Sequence, residues 1–450
     1  MSAPPPAPSP PVLPGSGRPD ADPSVPEPPP SEPPLAPPTL APLGPLPPGP
    51  VPRAVVAIPA RNEAETIGDC LAALAGQTGA DGDAPLPPGS FGVVVLANNT
   101  TDATVAICRA LAPALPFPLL LLDLTLATPH AHAGWARRLA MEAAAEWLAR
   151  GAADGRPPSD AVLLTTDADG RPAPGWVSNS LAALAAGADA VLGAVTVDPA
   201  EHAAVLPPCV RERGAREEDY AALLDELAAR LDPVPWDPWP RHDCEPGASI
   251  ALTLDAWRRV GGVPPLPIGE DRALCAALRR IDARLRHAPE VSVEVSCRLE
   301  GRATGGMADT MRRRIAVSES PLDDRLEPAR DAWRRHRARA ALRRLWGAGR
   351  VAPDGALGRL ARRLGLPAAD LARLLDGPRF GTVCEAVELA SPVLSPRRPV
   401  PPETLAAETR RAAAMVSRLR TRRDGRRRAG APGEADPAGI PDAAPVAGLA

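Results

Sequence analysis

Between residues 54 and 199, apolar runs and helix-spaced segments take turns, and this alternation constrains the fold more than any other feature. AVVAIP is a short apolar run with three β-branched residues. ETIGDCLAAL follows, with Ile67, Cys70, Leu71 and Leu74 at helical spacing. FGVVVLANNTTDATVAICRALA repeats the order as strand, polar turn and helix. AHAGWARRLAMEAAAEWLAR reads as a long helix of good helix formers, and AVLLTTDADG as a third strand. PGWVSNSLAALAAG is a helix closed by Gly187, and ADAVLGAVTVDP is a further strand. Strands alternating with helices imply an α/β fold, a mostly parallel sheet with helices on both faces. Ligands bind such sheets beyond the carboxyl ends of the strands. PARNE, ANNTTD and TTDADG all sit at those ends, so they are expected to converge on one crevice.

Past residue 199 the pattern changes. Residues 199–246 hold one helix and a Trp- and Pro-rich loop. GASIALTLDAWRRVGGV then resumes as strand and short helix, and IGEDRALCAALRRIDARLRHAPEVSVEVSCR as helix and strand. From about 320 to 425 the chain is rich in Arg and Ala and reads as helical. The Pro-dominated start cannot build a core, and the Gly, Ala and Pro-rich end reads the same way. The expected organisation is a disordered Pro-rich tail over 1–50, an α/β domain over 51–318, a helical region over 319–425 and a disordered tail over 426–450.

Composition excludes several classes. A net charge of −3 argues against a basic nucleic-acid binder, so no nucleic-acid partner is expected. The seven Cys are scattered without a CxxC pair, which points to a reducing cytoplasm and to neither a disulfide framework nor a zinc site. No signal-type apolar segment opens the chain, and no run of about 18 apolar residues predicts a spanning helix. The expected location is cytoplasmic. The chain has no Lys, so every long basic side chain is Arg and a single Arg carries little weight. DAWRRHRARAALRRLWGAGR is expected to present a solvated helix face, with peripheral contact to anionic lipid left open.

LLTTDADGRPAPGW poses the chemical question. Alternation along a strand would aim Asp167 and Asp169 to the same side, where like charges repel unless a cation or water separates them. A divalent cation is one reading, and a polar turn that ends a strand is the other. Other residues have a plainly structural reading. Glu63 suits the first turn of a helix, as do Glu270 and Asp271 in GEDRALCAALRRI, because the dipole favours acids there. Thr101 or Asp102 suits a helix N-cap. Trp257 at helical spacing reads as core, and Gly261 and Gly262 as a helix stop.

The order of these motifs, from about Arg53 to Arg314, resembles the family 2 glycosyltransferases, nucleotide-sugar-dependent enzymes of GT-A fold. The resemblance implies that Pro59 and Ala60 line a nucleotide pocket and that Glu63 contacts base or ribose. Asp102 keeps an acidic position of the family's second turn. Asn98 stands where an acid is usual, and because Asn both donates and accepts, the donor stays open between UDP- and GDP-linked sugars. Arg137 matches an Arg near the nucleotide, a side chain suited to a diphosphate. Asp169 would bind Mg²⁺ or Mn²⁺ directly, and Asp167 would contact the ribose or the metal through water. Asp271 would be the general base for an acceptor hydroxyl of unknown identity, with Glu270 hydrogen-bonding acceptor hydroxyls. Ser296, Arg298 and Arg302 would reach the diphosphate beneath a Gly-rich loop. The implied activity is inverting, metal-assisted transfer of a sugar, a hexosyl unit by expectation.

Two rivals compete with that implication. A haloacid-dehalogenase-type phosphatase also ends a strand on Asp-X-Asp-Gly, but on its first strand and with a Lys elsewhere, and this chain has none. A non-catalytic scaffold of the same fold would use its Pro-rich and helical ends for partners.

Overall fold

The computed structural model describes residues 36–428, apart from 41–42, 44, 80–81, 83, 152–159, 302–304, 318–319, 349–354 and 396. Of the expected tails over 1–50 and 426–450, residues 1–35 and 429–450 lie outside the described residues.

An eight-stranded sheet frames the unit that begins at Pro38. In chain order the strands are β1 (Ala54–Ala60), β2 (Phe91–Asn98), β3 (Leu119–Leu124), β4 (Val162–Thr165), β5 (Gly170–Pro172), β6 (Ala190–Val197), β7 (Ile250–Thr253) and β8 (Leu285–Val295). Their spatial order is β3-β2-β1-β4-β7-β6-β8-β5. Neighbours β3, β2, β1 and β4 run parallel, as do β6 and β8. β7 runs antiparallel to both β4 and β6, and β5 runs antiparallel to β8. The mostly parallel sheet is the one the alternation implied.

Both faces are covered, and the two-residue strand period sorts the side chains between them. Val55 and Ala57 of β1 join one buried cluster with α3 (Ala133–Arg150), while Ala54, Val56 and Ile58 join another with α1 (Ile67–Ala75) and α4 (Trp176–Ala185). α2 (Thr104–Leu111) lies on that second side through Cys108. The α3 face is largely Ala (Ala136, Ala140, Ala143 and Ala144 are all buried), so the helix settles close to the sheet. β1 outruns β4, whose pairing stops at Ala57 opposite Thr165. Pro59 sits in that overhang, where β4 no longer pairs with it and its missing N–H is tolerated.

The chain just before β1 is packed as well. Leu43 is buried in the first cluster, with Leu40 and Leu46 against it, and Arg150 donates to the Leu43 carbonyl. The last residues of the Pro-rich stretch therefore belong to the packed unit. Pro restricts φ but leaves the intervening Leu side chains free to bury.

Helices α5 (Pro199–Val205) and α6 (Pro208–Leu231) follow β6, and α7 (Leu254–Val260) follows β7. Asp198 caps α5 and Thr253 caps α7. Gly261 ends α7 in the left-handed region and Trp257 is buried, as the spacing implied. α8 (Glu270–Arg280) precedes β8, and α9 (Met307–Ala316) comes after it. The rest is helical: α10 (Ala329–Ala348), α11 (Ala356–Leu364), α12 (Ala368–Leu375), α13 (Phe380–Ala390) and α14 (Leu405–Arg428). α6, α10 and α14 share one apolar cluster, and α10 to α13 share another. The Arg-rich α10 thus lies between two packed clusters. Its Arg335 is buried on Glu327, Glu388 and the Leu394 carbonyl, while Arg330, Arg334, Arg337 and Arg344 are exposed as the expected solvated face. No helix among the described residues is long and apolar enough to cross a membrane.

Candidate active site

The turns that follow β1, β2 and β4 are tied to one another. Thr101 N–H donates to the Asn62 side chain, and Ala64 N–H donates to Asp102. Asp102 also accepts from the Thr104 N–H, while the Thr104 hydroxyl accepts from Glu63 N–H. Slight burial would raise the Asp102 carboxyl, but bonds from Thr104 and Ala64 outweigh it and hold it below its ordinary value. Its carboxylate is thereby engaged in joining two turns. Asn62 and Asn99 take the left-handed conformation that Asn tolerates in such turns. Asn98, the last residue of β2, is buried, and its Oδ1 has no hydrogen-bond partner among the described residues.

Asp167 and Asp169 lie on the turn between β4 and β5, where Gly170 N–H closes back on the Asp167 carbonyl. The strand ends at Thr165, so strand alternation does not place these carboxylates. Each meets an arginine instead. Arg137 Nη2 lies 2.7 Å from Asp167 Oδ1, and Arg298 Nη2 lies 3.1 Å from Asp169 Oδ2. Arg298 also forks onto both oxygens of Glu63, at 2.5 and 2.7 Å. Glu63 is buried and accepts from the Thr66 hydroxyl as well. Burial, then the adjacent Asp167 charge, pushes the Asp169 carboxyl above its ordinary value against the pull of Arg298. Beneath the turn, burial raises the Cys70 thiol, which keeps it an inert neighbour.

Arg137 reaches the second acidic pair too. Its Nε donates to Glu270 Oε1 at 3.0 Å, and its Nη1 to Thr165 Oγ1 and the Gly247 carbonyl at 3.0 and 2.9 Å. Gly247 N–H in turn donates to Asp271 Oδ2 at 2.9 Å, and Arg272 N–H donates to Asp271 Oδ1. Glu270 and Asp271 open α8, where the helix dipole favours them. Burial opposes the charge on Arg137, but Asp167 and Glu270 outweigh it and keep the guanidinium protonated.

Sequence-derived candidates thus fall into distinct places. Glu63, Asp167, Asp169, Glu270 and Asp271 are linked through Arg137 and Arg298. Pro59 and Ala60 end β1 beside them. Ser296 donates to Glu201, not toward the carboxylate pairs. Arg302 lies outside the described residues. Thr165 and Gly247 were missed by the sequence reading. TTDADG contained Thr165, but no local signal marks Gly247 as the hinge between Arg137 and Asp271.

The chemistry of the turn fits a divalent cation. Asp167 and Asp169 offer hard oxygens, and a cation there would offset the burial, and then the adjacent Asp167 charge, that raise the Asp169 carboxyl. Among the described residues no group of three His, Cys, Asp or Glu side chains makes an all-protein cage. Mg²⁺ and Mn²⁺ sites of the phosphate-bridging kind use one or two carboxylates, with water and substrate oxygens completing the shell.

Residues 55–204 match the family model described as Glycosyl transferase family 2. No curated protein matches the chain. Among solved structures, the chain is similar to the mannosyltransferase PcManGT from Pyrobaculum calidifontis in complex with GDP-Man and Mn²⁺, at 18% identity and TM-score 0.38, over 82% of this chain and 85% of that one. It is also similar to S. aureus TarS 1–349 in complex with UDP-GlcNAc, at 17% identity and TM-score 0.38, over 75% and 90%.

Proposed function

We propose that the chain, whose residues 55–204 match the Glycosyl transferase family 2 model, is an inverting glycosyltransferase moving a hexosyl unit from a UDP- or GDP-linked donor to an acceptor hydroxyl. The observation that supports this most is the joining of two acidic motifs by one arginine. Asp167 and Asp169 stand at the end of β4, Glu270 and Asp271 at the start of α8, and Arg137 joins the two.

In this reading Asp169 and Asp167 hold Mg²⁺ or Mn²⁺, which when bound supplies Lewis-acid neutralisation of the departing diphosphate. Pro59, Ala60, Asn98 and the turn tied by Asp102 form the nucleoside side. Glu63 acts through Arg298, whose charge lies beside Asp169 on the donor side. Asp271 is held by the Gly247 and Arg272 N–H groups and takes the proton from the acceptor hydroxyl. The acceptor oxygen bonds to the anomeric carbon from the face opposite the diphosphate, the bond to the diphosphate breaks, and configuration inverts. Glu270, held by Arg137 through Oε1, offers its other oxygen to an acceptor hydroxyl.

Calorimetric titration of UDP and GDP, with and without Mn²⁺, tests the donor site. One nucleotide is expected to bind wild type only with the ion, and D169A to weaken that binding at least about tenfold, one lost charge-assisted contact being worth about 1.5–3 kcal/mol. Failure of both nucleotides to bind with the ion would overturn the reading.

A further inference from the structure

Arg137 spends four of its five N–H groups inside the chain. Nε holds Glu270, Nη1 holds Thr165 and the Gly247 carbonyl, and Nη2 holds Asp167. Its side chain is 6% exposed, and that of Glu270 is 9% exposed. A diphosphate is best gripped by two parallel N–H groups along one guanidinium edge. Each edge of Arg137 already faces a carboxylate, a hydroxyl or a carbonyl. Four segments far apart in sequence therefore meet on one cation: α3, the end of β4, the Gly247 loop and the first turn of α8.

Two glycines make room for this arrangement. A Cβ on Gly247 would lie 2.8 Å from Arg137 Nη2 and 2.9 Å from Cζ. A Cβ on Gly134, one turn before Arg137 on α3, would collide with the backbone of Leu266, in the loop that leads to Glu270. Helix α3 and the approach to α8 are thus pressed together at the level of the arginine.

We infer that Arg137 is a positioning residue: it fixes the separation between the Asp167 turn on the donor side and the Glu270–Asp271 helix start on the acceptor side, and it does not contact the donor diphosphate. This rests on the glycosyltransferase reading above. The route to the base is short, because the Gly247 peptide accepts from Arg137 through its carbonyl while its N–H holds Asp271. A reacting oxygen misplaced by about 1 Å is enough to lower turnover by about 100-fold. A positioning role therefore predicts a loss in kcat with donor binding retained, whereas a diphosphate contact predicts a loss in donor binding.

The test measures kcat, donor KM and the Kd of UDP and GDP with Mn²⁺ for wild type, R137K, R137A and G247A. R137K keeps a buried charge, and G247A leaves every charged group in place and only displaces the guanidinium, so the proposal does not hang on the folding of R137A. The expected result is a kcat fall of about 100-fold in R137K and about tenfold in G247A, with nucleotide Kd changed less than about threefold. Added guanidinium ion is expected to restore part of the kcat of R137A, which a purely structural loss would not permit. A nucleotide Kd raised as much as kcat falls would overturn the inference in favour of phosphate contact. Unchanged kcat in both R137K and G247A would overturn it outright. Wild type without turnover or nucleotide binding would instead remove the glycosyltransferase reading and this inference with it.

Discussion

At the scale of single residues, charge balance decides what each acid can do. The sequence marks Asp167, Asp169, Glu270 and Asp271 plainly, because acids grouped in pairs beside a strand end and a helix start are conspicuous. It cannot mark Arg137 and Arg298 as their partners. The 51 basic residues are all Arg, and only the folded chain shows which two guanidinium groups face the crevice. The same limit applies to His242. Burial, and then the neighbouring His287, pushes its ring down to about 3, and its Nδ1 accepts the Cys244 N–H. His242 is therefore neutral in the fold, while the unfolded chain takes up a proton below its ordinary value. Its contribution to stability is full above about pH 6.5 and is lost as pH falls from there toward about 3. Denaturant titrations at about pH 7.5 and about pH 5 are expected to show wild type losing about 2 kcal/mol more than H242Q over that interval. Equal losses would show that His242 titrates normally in the fold.

At the scale of elements, periodicity was readable where an element obeys one period and lies beside its sequence neighbours. β1 and β2 with α1 and α2 meet that condition, and so they stand where the alternation placed them; β4 pairs with β1 and not with its chain neighbours, and β3, whose Leu run is not read as a strand from the sequence, lies beside β2. The antiparallel strands β5 and β7 do not, because their partners β8, β4 and β6 are distant or reversed in sequence. The placement of Asp167 and Asp169 failed for a related reason: Gly170 turns the chain one residue beyond them, so they belong to a turn, not a strand. α6 shows a further limit. It looked like an isolated helix in a changed stretch of text, yet its Tyr220, Leu224 and Leu227 form the floor on which α10 and α14 pack. Tyr220 donates its hydroxyl to the Glu327 carbonyl, and Glu226 pairs with Arg420 of α14. L227A is expected to cost about 2–5 kcal/mol in a denaturant titration, since a fully buried Leu leaves both its transfer energy and a cavity behind. A cost under about 1 kcal/mol would mean that the three helices do not share a core.

At the scale of the whole molecule, the sheet sets where the polar turns lie. β1 extends past β4, the polar turns lie beyond the strand ends, and α8 brings a second acidic pair to face them. The fold class and the acidic half of the site were legible because they depend on local pattern. The partners of Arg137 and Arg298, the place of Gly247 and the seating of the helical layer on α6 were not, because they depend on which distant segments touch. The central claim is that the two acidic pairs work on one reaction, with a cation on one side and a base on the other. The measurement that tests it most directly is nucleotide release from UDP- and GDP-linked hexoses by wild type and D271N, with Mn²⁺ and then with EDTA. Wild type is expected to release one nucleotide only while the ion is present, and D271N to do so about 10²–10⁴-fold more slowly. Release that survives EDTA, or that D271N matches at the wild-type rate, would contradict the account.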